Sequence, residues 1–137
     1  MEVLKETGKT KSAGFLAGIR RTFLTTKNKA WEQVFSPEGL LIWLGLSLEN
    51  VALNCDYTNP SGDTFTVKVF RPYSHIRLRW RRKDWTHNST LQVRIIEATD
   101  NKTTISFHQE NLDDEQQREE MLAHWKKVLK YLEQVVL

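Results

Sequence analysis

Four consecutive stretches between residues 64 and 109 alternate apolar and polar side chains, and this period of two leaves the chain few ways to fold. In HIRLRWRR (75–82), Ile76, Leu78 and Trp80 fall on one side of an extended chain, while His75, Arg77, Arg79 and Arg81 fall on the other. TFTVKVF (64–70) puts Phe65, Val67 and Val69 together, TLQVRII (90–96) Leu91, Val93 and Ile95, and TTISFHQ (103–109) Ile105, Phe107 and Gln109. The connections RPYS, KDWTHNS and TDNK are short, so the strands form an antiparallel meander with one apolar face. That face has to be covered.

The cover is at the end of the sequence. In DDEQQREEMLAHWKKVLKYLEQVV, Met121, Leu122, Trp125, Val128, Leu129, Leu132, Val135 and Val136 make one broad apolar stripe. Acids crowd its first turns and lysines follow, in keeping with the helix dipole, and Asp113 with Gln116 suggests a capping box. Upstream, GIRRTFLTT (18–26) reads as a strand without a clean face. KNKAWEQVF spaces Ala30, Trp31, Val34 and Phe35 as a helix does. SPEGLLIWLG predicts a second short helix, with Ser36 as cap, Pro37 in the first position, Gly45 as a left-handed stop, and Leu40 to Leu44 apolar all round and hence interior. Residues 46–63 read poorly: VALNCDY suggests a strand and TNPSGD a turn. We divide the chain into a loosely held N-terminal segment, 1–15, and one domain, 16–137.

The composition excludes several classes. Twenty basic and 17 acidic side chains leave a net charge of only +3, too small for a general nucleic-acid binder. The single cysteine, Cys55, rules out an internal disulfide and a thiolate metal cluster and fits a cytoplasmic location. No signal peptide is apparent, and the longest apolar run, LLIWLGL, is far short of a membrane span. Gly8-Lys9-Thr10 ends like a phosphate loop, but Val3 stands where that motif needs glycine. The four histidines show no metal-ligand spacing, and no serine or cysteine has a nucleophile's context, so neither a metal, a cofactor nor a catalytic residue is expected.

Three segments together, AWEQVFSPEGLLIWLG (30–45), RLRWRRKDW (77–85) and TISFHQENL followed by REEMLAHWKKVLKYLE, resemble the START-like, or SRPBCC, superfamily. The similarity lies in the branch related to the C-terminal domain of the activator of the heat-shock protein ninety ATPase, and it covers roughly residues 16–136. It implies an α+β helix-grip fold, a curved antiparallel sheet wrapped around a long C-terminal helix. It also implies a space between sheet and helix that relatives use for apolar small molecules. Many relatives carry histidine at the inward position where this chain has Gln109; His108 points the other way.

The leading expectation is therefore a small cytoplasmic protein that binds a hydrophobic or amphipathic molecule in that space without catalysis. Trp43, Phe65, Trp80, Gln109 and Trp125 are the candidate contacts, with Val67, Val93 and Phe107 completing the wall. An empty void of ~300 Å³ would cost about 7 kcal/mol, so side chains, water or a ligand must fill it. The alternative is a co-chaperone-like or regulatory protein that docks an acidic partner on a basic convex strip of Lys68, Arg77, Arg79 and Arg94. The activator has a further N-terminal domain that this single-domain chain lacks, which weighs against the chaperone role. A cyclase-, aromatase- or hydrolase-like enzyme ranks last, because the assignable inward positions are apolar or amide; a buried ionisable group from residues 46–63 would revive it. Nucleic acid is disfavoured because the apolar residues between the arginines point inward, leaving no stacking platform. The sheet edges would allow a homodimer.

Overall fold

A computed structural model describes Lys9–Thr10 and residues 14–137. The elements run β1 (Lys9–Thr10), β2 (Gly14–Phe23), α1 (Lys27–Val34), α2 (Pro37–Leu44), β3 (Asp56–Thr58), β4 (Thr64–Arg71), β5 (His75–Arg81), β6 (Ser89–Thr99), β7 (Lys102–Leu112) and α3 (Glu115–Val135). The seven strands form one antiparallel sheet in the order β1-β2-β7-β6-β5-β4-β3. The first long strand, β2, thus pairs with the last, β7, and α1 and α2 span the gap between β2 and β3. This is the α+β helix-grip architecture, a curved sheet around a C-terminal helix. Most of the N-terminal segment 1–15, with the glycine of the Gly8-Lys9-Thr10 stretch, lies outside the described residues.

The alternating strands fold as their pattern requires. Ile76, Leu78 and Trp80 on β5, Leu91, Val93 and Ile95 on β6, and Ile105 and Phe107 on β7 are all buried on the face toward α3. From α3, Met121, Trp125, Val128, Leu129 and Leu132 close the core. On β4 the alternation breaks. The register shifts between Val67 and Val69, so Phe65 opposes Trp80 and Val67 opposes Leu78, but Val69 opposes the outward Arg77. Val69 therefore leaves the inner face, and Phe70, opposite Ile76, takes its place, as one extra residue in a bulge reverses every later side chain.

The helix ends follow from capping chemistry. The Ser36 hydroxyl accepts from the Gly39 N–H at 3.0 Å, Pro37 opens α2, and Gly45 closes it at φ 78°. Gly45 is required twice over, since a Cβ there would also come within 2.6 Å of the Asn59 amide. In α2, Leu40, Trp43 and Leu44 are buried but Leu41 is 53% exposed, so the helix lies against the core on one side rather than being wedged inside it. The α3 cap falls one residue later than Asp113. Asp114 accepts from the Gln117 N–H at 2.8 Å, and Gln117 Oε1 reaches back to accept from the Asp113 N–H. The box is the same device moved by one position.

Candidate functional site

The two faces of the sheet offer different chemistry. On the inner face, Trp43, Phe65, Val67, Trp80, Val93, Phe107, Gln109 and Trp125 are all buried, at 2% exposure or less. Phe107 stacks on Trp125 with ring centroids 4.8 Å apart, Trp80 tilts against Trp125 at 5.8 Å, and Trp43 meets Phe107 edge-on at 6.1 Å. Phe65 packs outside this row of four rings, stacked on Tyr57. The polar groups inside are matched to one another. Trp125 Nε1 donates to Gln109 Oε1 at 2.7 Å, Gln109 Nε2 donates to Ser89 Oγ at 2.8 Å, and Ser89 Oγ donates to the Trp80 carbonyl at 2.6 Å. The indole of Trp43 donates to the Val34 carbonyl at 3.1 Å. A buried polar chain satisfied in this way fixes the packing of the side chains that carry it.

Beside this core, where β5 ends and α3 passes, several ionisable groups gather that the sequence did not bring together. Asp63, from the poorly read 46–63 region, is 7% exposed. Its carboxylate accepts from Asn59 Nδ2, which also donates to the Leu44 carbonyl at 2.8 Å, and its backbone N–H donates to Asn59 Oδ1. The carboxylate thus helps tie the β3–β4 turn to the end of α2. His124 packs edge-on against Trp125 and tilts over Trp80. Burial, reinforced by Arg82, pushes its pKa down to about 4, against a weaker upward pull from Asp63, so it is neutral at pH 7. Arg82 lies over the Trp80 ring, with its Nε 2.9 Å from Glu120 but misaligned for a hydrogen bond. A cleft of about 360 Å³ opens here between Ser61, Asp63, Arg82, Trp85 and Glu120.

The outer face is cationic. The ladder places Arg20 of β2 opposite Ser106 of β7, Ser106 opposite Arg94 of β6, Arg94 opposite His75 of β5, and His75 opposite Arg71 of β4. One residue row further on, Arg77 stands opposite Gln92 and Gln92 opposite His108. Arg20, Arg77, Thr90, Gln92, Arg94, Ser106, His108 and Glu110 line a hollow of about 620 Å³. Arg79 borders a second one, of about 460 Å³, toward β3. Among the described residues, carboxylates pair with Arg21, Arg82, Arg118, His87 and His108, and none pairs with Arg20, Arg77, Arg79 or Arg94. Lys68 sits in the β4 bulge and donates to Asn54 Oδ1 at 3.0 Å, away from the hollow. His75 senses the surrounding charge: burial first, then Arg94, Arg77 and Arg71, lowers its pKa.

Sequence reasoning found Arg77, Arg79 and Arg94 from the alternation but missed Arg20. Its strand had no clean face, and only the pairing of β2 with β7 brings it beside Ser106. Among the described residues there is no group of three or more His, Cys, Asp and Glu arranged to hold a metal ion, and no helix is long and apolar enough to cross a membrane.

Known structures share this architecture. CalU16 from Micromonospora echinospora superposes with a TM-score of 0.76 at 17% identity, over 93% of this chain and 80% of that one. The Aha1 dimer from Colwellia psychrerythraea gives 0.67 at 14%, over 88% and 95%. DynU16, from the dynemicin biosynthetic locus, gives 0.71 at 15% over 85% of this chain, which spans only 45% of the DynU16 chain. At these identities the likeness is one of fold. None of the curated proteins matches the chain. The family model for "Activator of Hsp90 ATPase homolog 1-like protein" matches residues 25–136, from the start of α1 to the end of α3, and the chain belongs to that family, within the START-like folds.

Proposed function

We propose that this chain is a non-catalytic, cytoplasmic binding protein whose working surface is the outer face of the sheet, where it docks an acidic surface of a protein partner. The observation that carries this reading is the set of unpaired guanidiniums. Arg20 on β2, Arg94 on β6 and Arg77 and Arg79 on β5 share one face, β2 being one strand removed from β6, with no carboxylate to neutralise them among the described residues. Like charges crowded on a rigid face repel, and an anionic partner relieves that repulsion and is steered toward it. The family's name offers the heat-shock protein ninety ATPase as the first partner to try.

The test is binding of acidic protein surfaces at low and moderate salt. Arg77→Glu with Arg79→Glu should abolish binding while the fold is kept, and binding by the wild type should weaken as salt rises. Undiminished binding by the double variant would overturn the reading.

A second reading, a hydrophobic or amphipathic small molecule between sheet and α3, is favoured by the cleft at Trp85, Arg82 and Glu120, which opens beside the buried Trp80. It requires the Trp80–Trp125–Phe107 cluster to part and the Gln109 chain to re-pair with the ligand. Native mass spectrometry of freshly purified protein, with a small-molecule mass lost on unfolding, would favour it over the first. An enzyme reading now has a buried carboxylate from residues 46–63, but Asp63 is committed to Asn59, and we therefore keep catalysis out of the proposal.

A further inference from the structure

We infer that the hollow between Arg20, Arg94 and Arg77 is a phosphoryl site, and that the acidic partner segment it takes is phosphorylated. This rests on the outer face being the docking surface and names the chemistry it recognises. Ser106 stands directly between Arg20 and Arg94 in the ladder. Directly opposed positions hold their Cβ atoms about 5 Å apart, so two long cationic side chains flank one short hydroxyl. A hollow lined by arginines and short polar side chains, with Glu110 also in its lining, results. Arg77 approaches from the neighbouring row, and one edge of its guanidinium is held: Nε and Nη2 both donate to Gln92 Oε1, at 3.2 and 3.0 Å, so the Nη1 donors are the ones that this contact does not use. Glu110, the acid on the rim, is engaged by His108 Nε2 at 3.3 Å.

The donor set decides between anions. A carboxylate has one charge and two coplanar oxygens, which a single guanidinium fork satisfies. Three guanidiniums and a hydroxyl arriving from different strands suit a group with about two charges and three oxygens, which is a phosphoryl monoester. The lining holds no Phe, Tyr or Trp for a base to stack on, and its imidazole, His108, is engaged with Glu110, so a nucleic acid would find charge without an aromatic platform. The pKa of His75 is lowered first by burial and then by Arg94, Arg77 and Arg71, the last three in keeping with a positive field across this part of the face.

The experiment is fluorescence anisotropy with three short labelled peptides of one acidic sequence, carrying serine, phosphoserine or glutamate at the centre, and with labelled oligouridylate. The phosphoserine peptide should bind about tenfold tighter than the glutamate peptide, as expected if one more charge-assisted hydrogen bond forms. Arg94→Ala and Arg20→Ala, each checked for folding by circular dichroism, should each erase most of that preference. Equal binding of the phosphoserine and glutamate peptides would overturn this inference and leave the acidic-partner reading standing. Binding of none of the peptides would overturn both, and tighter binding of oligouridylate would replace the peptide with a nucleic acid. Retention of the phosphoserine preference in both alanine variants would move the site elsewhere on the protein.

Discussion

The inner and outer faces of the sheet are built from the same strands, residue by residue in alternation, yet they differ in how their polar groups are used. Inside, the indole of Trp125, the amide of Gln109 and the hydroxyl of Ser89 form a closed chain ending on the Trp80 carbonyl. Outside, Arg20, Arg79 and Arg94 have no acidic partner among the described residues, and Arg77 is held only by an amide. Interactions already made inside the molecule stabilise it, while interactions left unmade at the surface are available for binding. On that argument the inner face maintains the fold, and the outer face is the one we propose for binding.

The sharpest way to break the comparison is to remove a ring from the inner face. Trp125→Ala deletes the stacking partner of Phe107 and should cost about 4 kcal/mol in urea unfolding, while leaving peptide binding by the fraction that remains folded unchanged. The next effect is set by pH. Burial holds His124 at about 4, well under the ordinary histidine value near 6.5. Well above pH 6.5 the ring is neutral in both folded and unfolded chains and contributes no pH dependence. As pH falls toward 4, the unfolded chain takes up a proton that the folded one refuses, so stability declines by about 3 kcal/mol across the window. The decline should be clearly smaller in His124→Phe when unfolding is compared at pH 7 and pH 4.5, with His75, whose pKa is also lowered, contributing to what remains. Gln109→Leu, which strands the Trp125 N–H and removes the donor to Ser89, should cost about 2 kcal/mol. Arg94→Ala should change stability by less than about 0.5 kcal/mol, as surface substitutions do, and lose binding instead. A large loss of stability there would erase the distinction between the faces.

Much of this was legible in the sequence because alternation and capping act locally. The inward positions of β5, β6 and β7 and the Ser36, Pro37 and Gly45 signals of α2 needed no tertiary information. What was not legible depended on partners distant along the chain. The bulge at Lys68 turns Val69 outward, although the residues around it alternate without a break. Asn59 and Asp63 look like ordinary turn residues, and their burial follows from a hydrogen bond to the end of α2, fifteen residues away. His124 owes its neutrality to burial against Trp80 and Trp125 and to Arg82; Trp80 stands at the far end of β5 and Arg82 just past it. Arg20 joins the outer hollow because the first long strand pairs with the last, a topological choice that no local pattern encodes.

The division of labour between the faces can be read in one experiment, a two-dimensional amide spectrum of the labelled protein titrated with the phosphoserine peptide. Backbone signals of Arg20, Arg77, Arg94 and Ser106 should move, while the indole N–H signals of Trp43, Trp80 and Trp125 stay in place. Movement confined to those indoles, with the outer strand positions unchanged, would contradict the account and put binding between the sheet and its helix.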